Sequence, residues 1–299
     1  MKFFLTYTAF FATSVILALL LGEYIITRQP NPYKYKHQYM TENAAEVESL
    51  IFGSSHSFYG INPQYFESPT FSLANISQNF EYDNILLRAY APKCVKLKNI
   101  ILPISYFSFF DKDYEHSDES FLITYYKKYM NINIYPYYSK YNFEFTHFTL
   151  YSNKIKSIIK GKQPIECDEK GFGLGYHLER RSDKWKENVK DVIARHTASD
   201  DSMLEYHLTH LRSIIEYCNS MNLRIILVTT PTWKGYYQNL NKAQLEKMYS
   251  TISVLKKEYN FEYYDFLCDE RFGDNDFFDA DHLSTDGAEK FSRIINEIL

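Results

Sequence analysis

The sequence predicts an α/β fold with a parallel sheet covered by helices on both faces. Strand-like apolar runs alternate with helical patterns, as where "MLEYHLTHLRSIIEYCNSMN" (203–222) precedes "LRIILVTTP" (223–231). The runs "KNIILPISYFSF" (98–109) and "LRIILVTTP" are continuously apolar, which suits strands buried on both faces. The alternation recurs to the end of the chain, the pattern from which a parallel sheet is built. The 299 residues leave room for one large domain or two small ones.

Taken in order, Phe3 to Gly22 carries no charge for 20 residues. As a helix this run spans roughly 30 Å, the thickness of a bilayer core. It is long for a signal peptide, and "ALLLGEY" makes a poor cleavage site, so residues 1–27 read as a single uncleaved membrane anchor. Lys2 stands on one side and Arg28, Lys34 and Lys36 on the other, so charge alone does not orient it. Residues 28–46, with "RQPNPYKYKHQYMT", read as a linker. The domain proper spans 47–299. Strands are expected at 48–53, 98–109, 223–231 and 261–266, and helices at 203–222, 243–260 and from Ser284 to the end. There a Ser/Thr cap and an acidic first turn open the helix. Between about 111 and 199 the pattern loosens into a tyrosine-rich insertion, expected to be a cap over the crevice or a partner surface.

Charge and cysteine usage exclude some functions. With 33 basic and 37 acidic residues, net −4, there is no basic field for nucleic acid. Cys94, Cys167, Cys218 and Cys268 are widely spaced without a CxxC pair, so zinc-ligand spacing is absent. Cys218 and Cys268 read as small core residues, and a disulfide is left open. The 28 tyrosines and 23 phenylalanines suit sugar stacking, the packing of a cap or a plain compositional bias. Arg180, Arg181, Lys184 and Lys186 suit an anionic glycan or a solvated face. "GFGLGYH" lacks dinucleotide-loop spacing and "DNDFFDADHLSTDG" lacks calcium-loop spacing, so no cofactor or metal is expected.

Two short stretches carry chemistry. In "IFGSSHS" (51–57) serines follow the first strand directly, where the ligand crevice of a parallel sheet lies. In "FFDADHLSTDGAEKFS" (277–292), Asp279 and His282 are three apart just before the last helix. That spacing lets the carboxylate hold one imidazole nitrogen while the other faces outward as a base. Alone, the first is an ordinary helix cap and the second an acidic helix start; together they supply the parts of an activated serine.

These stretches resemble the first and last sequence blocks of the SGNH/GDSL hydrolase superfamily. "GSS" stands where GDS is usual, and "DADHLSTDGA" is similar to DxxHLNxxGA. The likeness is nearest to membrane-anchored envelope members, such as the teichoic-acid D-alanylation protein and alginate-type O-acetyltransferases. It implies a three-layer, flavodoxin-like sheet with Ser55 as nucleophile, His282 as general base and Asp279 as its orienting carboxylate. Asp281 is an alternative orienter, Ser54 fills the place of the usual Asp, His56 shapes the pocket or hydrogen-bonds a turn rather than acting as a base, and Ser57 caps the helix. The oxyanion donors depart from the family pattern. Beyond the Ser55 backbone N–H, Asn75 in "SLANISQN" stands nearest the second-block Gly, and Ser105 in "LPISYFS" replaces the third block. The resemblance further implies an outward-facing domain, an envelope polysaccharide or other acyl ester as substrate, and a multi-span acyltransferase as partner. A non-catalytic assembly or glycan-binding protein on the same fold is the competing reading.

Overall fold

A computed structural model describes residues 1–136, 139–162 and 164–299. Tyr137, Tyr138 and Gln163, within the expected insertion, lie outside the described residues. Along the chain run helices α1 (Lys2–Thr27), α2 (Pro32–Glu42), α3 (Ser55–Phe58), α4 (Phe80–Tyr90), α5 (Phe121–Tyr129), α6 (Phe148–Ile159), α7 (Val189–His196), α8 (Leu204–Ser220), α9 (Lys234–Tyr237), α10 (Lys242–Glu258) and α11 (Thr285–Ile298). The strands are β1 (Ser49–Ile51), β2 (Thr70–Ser72), β3 (Asn99–Pro103), β4 (Arg224–Thr229) and β5 (Glu262–Asp265). The chain divides into two compact units. One joins Met1–His37 to Tyr114–Glu166, and the other joins Gln38–Asp113 to Cys167–Leu299. The expected insertion is therefore split, since 114–166 groups with the N-terminal segment while 167–199 belongs to the sheet unit.

The five strands pair in parallel in the order β2-β1-β3-β4-β5. This is the flavodoxin-like order, whose switch point between β1 and β3 opens a crevice at the strands' carboxyl ends. Leu50 lies opposite Ile100, Ile101 opposite Ile226, and Leu227 opposite Tyr263. Ile51, Ile101, Ile226 and Val228 pack with Ala288, Phe291 and Ile295 of α11. Leu50, Ile100 and Leu227, which alternate with them, are equally buried, so both faces of the sheet are covered. On α4 and α8, Asn84 and Ser213 are hydrogen-bonded at 3.2 Å. Local signals begin the helices: Asn79 accepts the Tyr82 N–H for α4, Asn241 the Gln244 N–H for α10, and Ser284 the Gly287 N–H for α11.

In the other unit, α1 is long and apolar enough to cross a membrane, and among the described residues no other helix is. Tyr151 of α6 donates from its hydroxyl to the Leu19 carbonyl at 2.8 Å. One residue after the apolar run, the buried Glu23 carboxylate accepts Lys128 Nζ and the backbone N–H groups of Glu144 and Phe145. Glu144 in turn accepts Tyr129 and Lys154.

Several expectations change. Residues 28–46, read as a linker, contain α2, for which Asn31 accepts the Lys34 N–H and Pro32 fills the first helical position. β2 is a strand of three residues that sequence periodicity did not reveal. The apolar run 98–109 leaves the sheet at Pro103 and turns where the Ser108 N–H reaches the Ser105 carbonyl. All four cysteines are free, and Cys268 is exposed rather than in the core.

Candidate active site

The loop after β1 sets the position of Ser55. The Phe52 N–H still reaches the Ile101 carbonyl, then Gly53 takes φ +101°. A Cβ there would lie 2.7 Å from Ser57 Oγ and 3.3 Å from Pro103, so glycine answers both the backbone and the space. Behind it, buried Asp83 accepts the Gly53 N–H at 2.9 Å and Gln78 Nε2 at 2.6 Å. Burial pushes the Asp83 carboxyl up to about 7 despite these bonds. Ser54 then takes the extended N-cap conformation and Ser55 begins α3. Ser57, expected to cap this helix, lies inside it, and its buried hydroxyl has no hydrogen-bond partner among the described residues.

The partner comes from the turn before α11. Asp279 Oδ1 accepts the backbone N–H groups of Asp281 and His282 at 3.1 and 2.9 Å, folding 279–282 into a tight side-chain-closed turn. Arg181 steadies the preceding loop by donating to the Asp274 and Phe277 carbonyls at 2.6 and 2.7 Å. Its neighbour Lys186 pairs with the Asp274 carboxylate. Sequence suggested an anionic glycan or a solvated face for these cations; the loop ahead of the histidine uses two of them.

His282 Nδ1 lies 2.9 and 3.1 Å from the Asp279 carboxylate oxygens, and His282 Nε2 lies 2.8 Å from Ser55 Oγ. Three groups singled out in the sequence thus form one hydrogen-bonded line. In the neutral form, Nδ1–H donates to Asp279 and leaves Nε2 free to accept the Ser55 proton. Burial disfavours the imidazolium, but the carboxylates of Asp281 and Asp279 outweigh it and raise His282 to about 9.

A second, buried network lies behind this line, and the sequence did not reveal it. Asp281 Oδ2 accepts His56 Nε2 at 3.1 Å, while Asp281 Oδ1 lies 3.5 Å from His282 Nδ1. His196 Nε2 approaches the same carboxylate at 4.0 Å, and its Nδ1 meets the Tyr236 hydroxyl at 2.8 Å. Burial opposes ionisation of Asp281, yet the three imidazoles hold it well below the usual carboxylate range. Burial lowers His56, and it lowers His196 to about 3. With Nε2–H committed to Asp281, His56 Nδ1 accepts the Ser105 hydroxyl at 2.8 Å. Ligand atoms of His56, Asp281 and His282 fall within 4.8 Å of one another, the spacing of a metal cluster. Both His282 nitrogens are already committed to Ser55 and Asp279, so the arrangement fits a hydrogen-bond network better than a metal centre.

The oxyanion candidates fare differently. The Ser105 hydroxyl proton is committed to His56. The Asn75 backbone N–H donates to the Gly53 carbonyl at 3.2 Å, and its amide nitrogen donates to Leu73 and Gln78. Asn75 is 1% exposed. The Ser55 backbone N–H, first in α3, has no acceptor among the described residues and faces no competing bond. Beside His282, Tyr59, Tyr176 and Phe278 form a stack with centroid separations of 3.7 and 4.2 Å. Tyr176 stands edge-on to the imidazole at 5.5 Å.

No family model matches the chain, and no curated protein matches it in sequence. Solved structures to which it is similar include a candidate platelet activating factor from Streptococcus pneumoniae, at 12% identity and TM-score 0.45, covering 97% of this chain and 98% of that one. A candidate acylhydrolase from Bacteroides fragilis gives 9% identity and TM-score 0.45, covering 90% and 97%. A GDSL-like lipase from Bacteroides thetaiotaomicron gives 10% and 0.43, covering 90% and 98%. In its sheet order, its serine after β1 and its Asp-x-x-His turn before the last helix, this chain has the α/β fold that its resemblance to the SGNH/GDSL hydrolases implies.

Proposed function

We propose that this chain is a membrane-anchored serine esterase or O-acyltransferase acting on ester-linked acyl groups. The observation that carries this reading is the line Ser55–His282–Asp279, whose members come from opposite ends of the sheet unit. In the proposed reaction His282 Nε2 takes the Ser55 proton as Oγ attacks the ester carbonyl. Asp279 fixes the ring and balances the imidazolium. The tetrahedral oxyanion is met by the Ser55 N–H. Collapse expels the alkoxide, which takes its proton from His282 and leaves an acyl-Ser55 ester. Water then completes hydrolysis, or a sugar hydroxyl completes transfer, with His282 again accepting the proton. The resemblance to envelope members favours a polysaccharide as acceptor or donor, and α1 favours action beside a multi-span acyl-carrying partner. The domain then faces outward.

A fluorophosphonate probe is expected to label the purified chain at Ser55, and Ser55→Ala is expected to abolish labelling with its melting temperature unchanged. An unlabelled wild type, or equal labelling of Ser55→Ala, overturns the assignment. The commitment of Ser105 and Asn75 to other bonds favours a second reading, a non-catalytic assembly or glycan-binding protein. On that reading Ser55→Ala and His282→Ala leave the cellular role intact, whereas substitutions within the tyrosine-rich 111–199 segment abolish it.

A further inference from the structure

Helix α6 lies beside the end of the apolar part of α1. Tyr151 bonds Leu19, and a side chain in place of Gly22 would strike the Tyr151 ring. At Glu23 the surroundings change to the Lys128 and Glu144 network. The level at which α1 passes from apolar to polar is thus the level at which α6 packs. Yet α6 leaves large apolar side chains uncovered: Phe148 is 63% exposed and Ile159 79%. They are eleven residues apart, about three helical turns, so they lie along one line of the helix. Lys156 and Lys160 border one side of that line and Lys162 follows it, all three exposed and without an acidic partner among the described residues. From 145 to 165 the chain carries four lysines and no Asp or Glu. Apolar side chains bordered by a one-signed basic edge, at the end of an apolar helix, fit the interface of an anionic bilayer rather than a folded protein partner.

We infer that α6 is an interfacial helix that seats Phe148 and Ile159 among the acyl chains and Lys156, Lys160 and Lys162 against anionic lipid headgroups. This rests on the proposed reading of α1 as a membrane anchor. The full chain is reconstituted in vesicles of phosphatidylcholine and phosphatidylglycerol at 7:3, with p-benzoylphenylalanine in place of Phe148, Ile159, Phe11 or Val95. Val95, 80% exposed in the sheet unit, sets the background. Light-induced lipid adducts are expected at Phe148, Ile159 and Phe11. Adducts at Phe148 should contain phosphatidylglycerol at least about twofold above its mole fraction, and the triple variant Lys156→Gln, Lys160→Gln, Lys162→Gln should remove that excess. Adducts at Phe11 with none above background at Phe148 and Ile159 overturn the inference alone. Lipid adducts at Phe148 without anionic enrichment overturn its headgroup half. Absence of adducts at Phe11 overturns the anchor and this inference with it.

Discussion

Replacing Asp281 by Asn should make the His282 base available at lower pH. The lost charge lies 3.5 Å from His282 Nδ1. At that separation and an effective dielectric of ~20–40, a unit charge acts with about 2–5 kcal/mol. At 1.36 kcal/mol per unit, and with the Asn dipole retaining part of the field, His282 should fall by about 1–3 units from its raised value of about 9. Asp279 still holds the ring at 2.9 Å, so the geometry survives. The assay is the second-order rate constant for fluorophosphonate labelling of Ser55 across pH 5–10. Its alkaline-rising limb reports deprotonation of His282 in the free protein. The midpoint should move down, and labelling at pH 7 should rise about tenfold. Stability supplies an independent check. A histidine raised from 6.5 to about 9 contributes stability that is fully present below about pH 6.5 and is lost as pH rises through about 9. In Asp281→Asn that loss should be smaller and complete at lower pH, because only the folded-state value moves. An unmoved or upward-shifted midpoint would refute the view that Asp281 sets the basicity of His282.

Asp279→Asn should behave in the opposite way, because the amide cannot hold the correct imidazole tautomer. Labelling should fall by about 10²–10⁴ across the whole pH range, and a loss under tenfold would count against Asp279 as the orienter. Gly53→Ala forces a side chain into φ +101° against Ser57 Oγ. It should cost about 1–3 kcal/mol in urea unfolding and displace Ser55, lowering labelling at least about tenfold. Glu23→Ala strips the carboxylate that Lys128 and two backbone N–H groups share. It should lower stability by about 3–5 kcal/mol and speed limited proteolysis within 114–166 in detergent-solubilised protein, with Ser55 labelling as the comparison signal.

The sequence was most legible where one physical signal acts over many residues. The helices 204–220, 242–258 and 285–298 and the strands β3 to β5 follow apolar period and cap residues, and their ends fall within a few residues of the expected ones, except for β3. β2 has only three residues, too few for a period to show, and the hydrogen bonds that make it a strand belong to β1. α2 was hidden by proline spacing that also suits a linker. Within the site, Ser55, Asp279 and His282 were readable because local rules place them at a strand end and in a three-residue turn. His196 and Ser105 were not, because their roles depend on which side chains the sheet brings beside Asp281. Asp83, near the start of α4, could have been flagged only as an acid at a helix start, not as the buried clamp on Gly53. Sequence spacing presents Asp281 only as a rival to Asp279, whereas the geometry gives it separate neighbours in His56 and His196.

That geometry bears on how the site tolerates change. One carboxylate serves His56 at 3.1 Å, His282 at 3.5 Å and His196 at 4.0 Å, so three imidazoles share the charge of Asp281, and His282 alone adds that of Asp279. Losing any one of them frees that charge to act more strongly on the others. Substitutions at His56 and His196 will therefore not combine as independent events: the effect of each on His282 will depend on whether the other is already present. A homologue in which one of these histidines has drifted should show compensating change at another, leaving epistasis as the trace of a shared counter-ion.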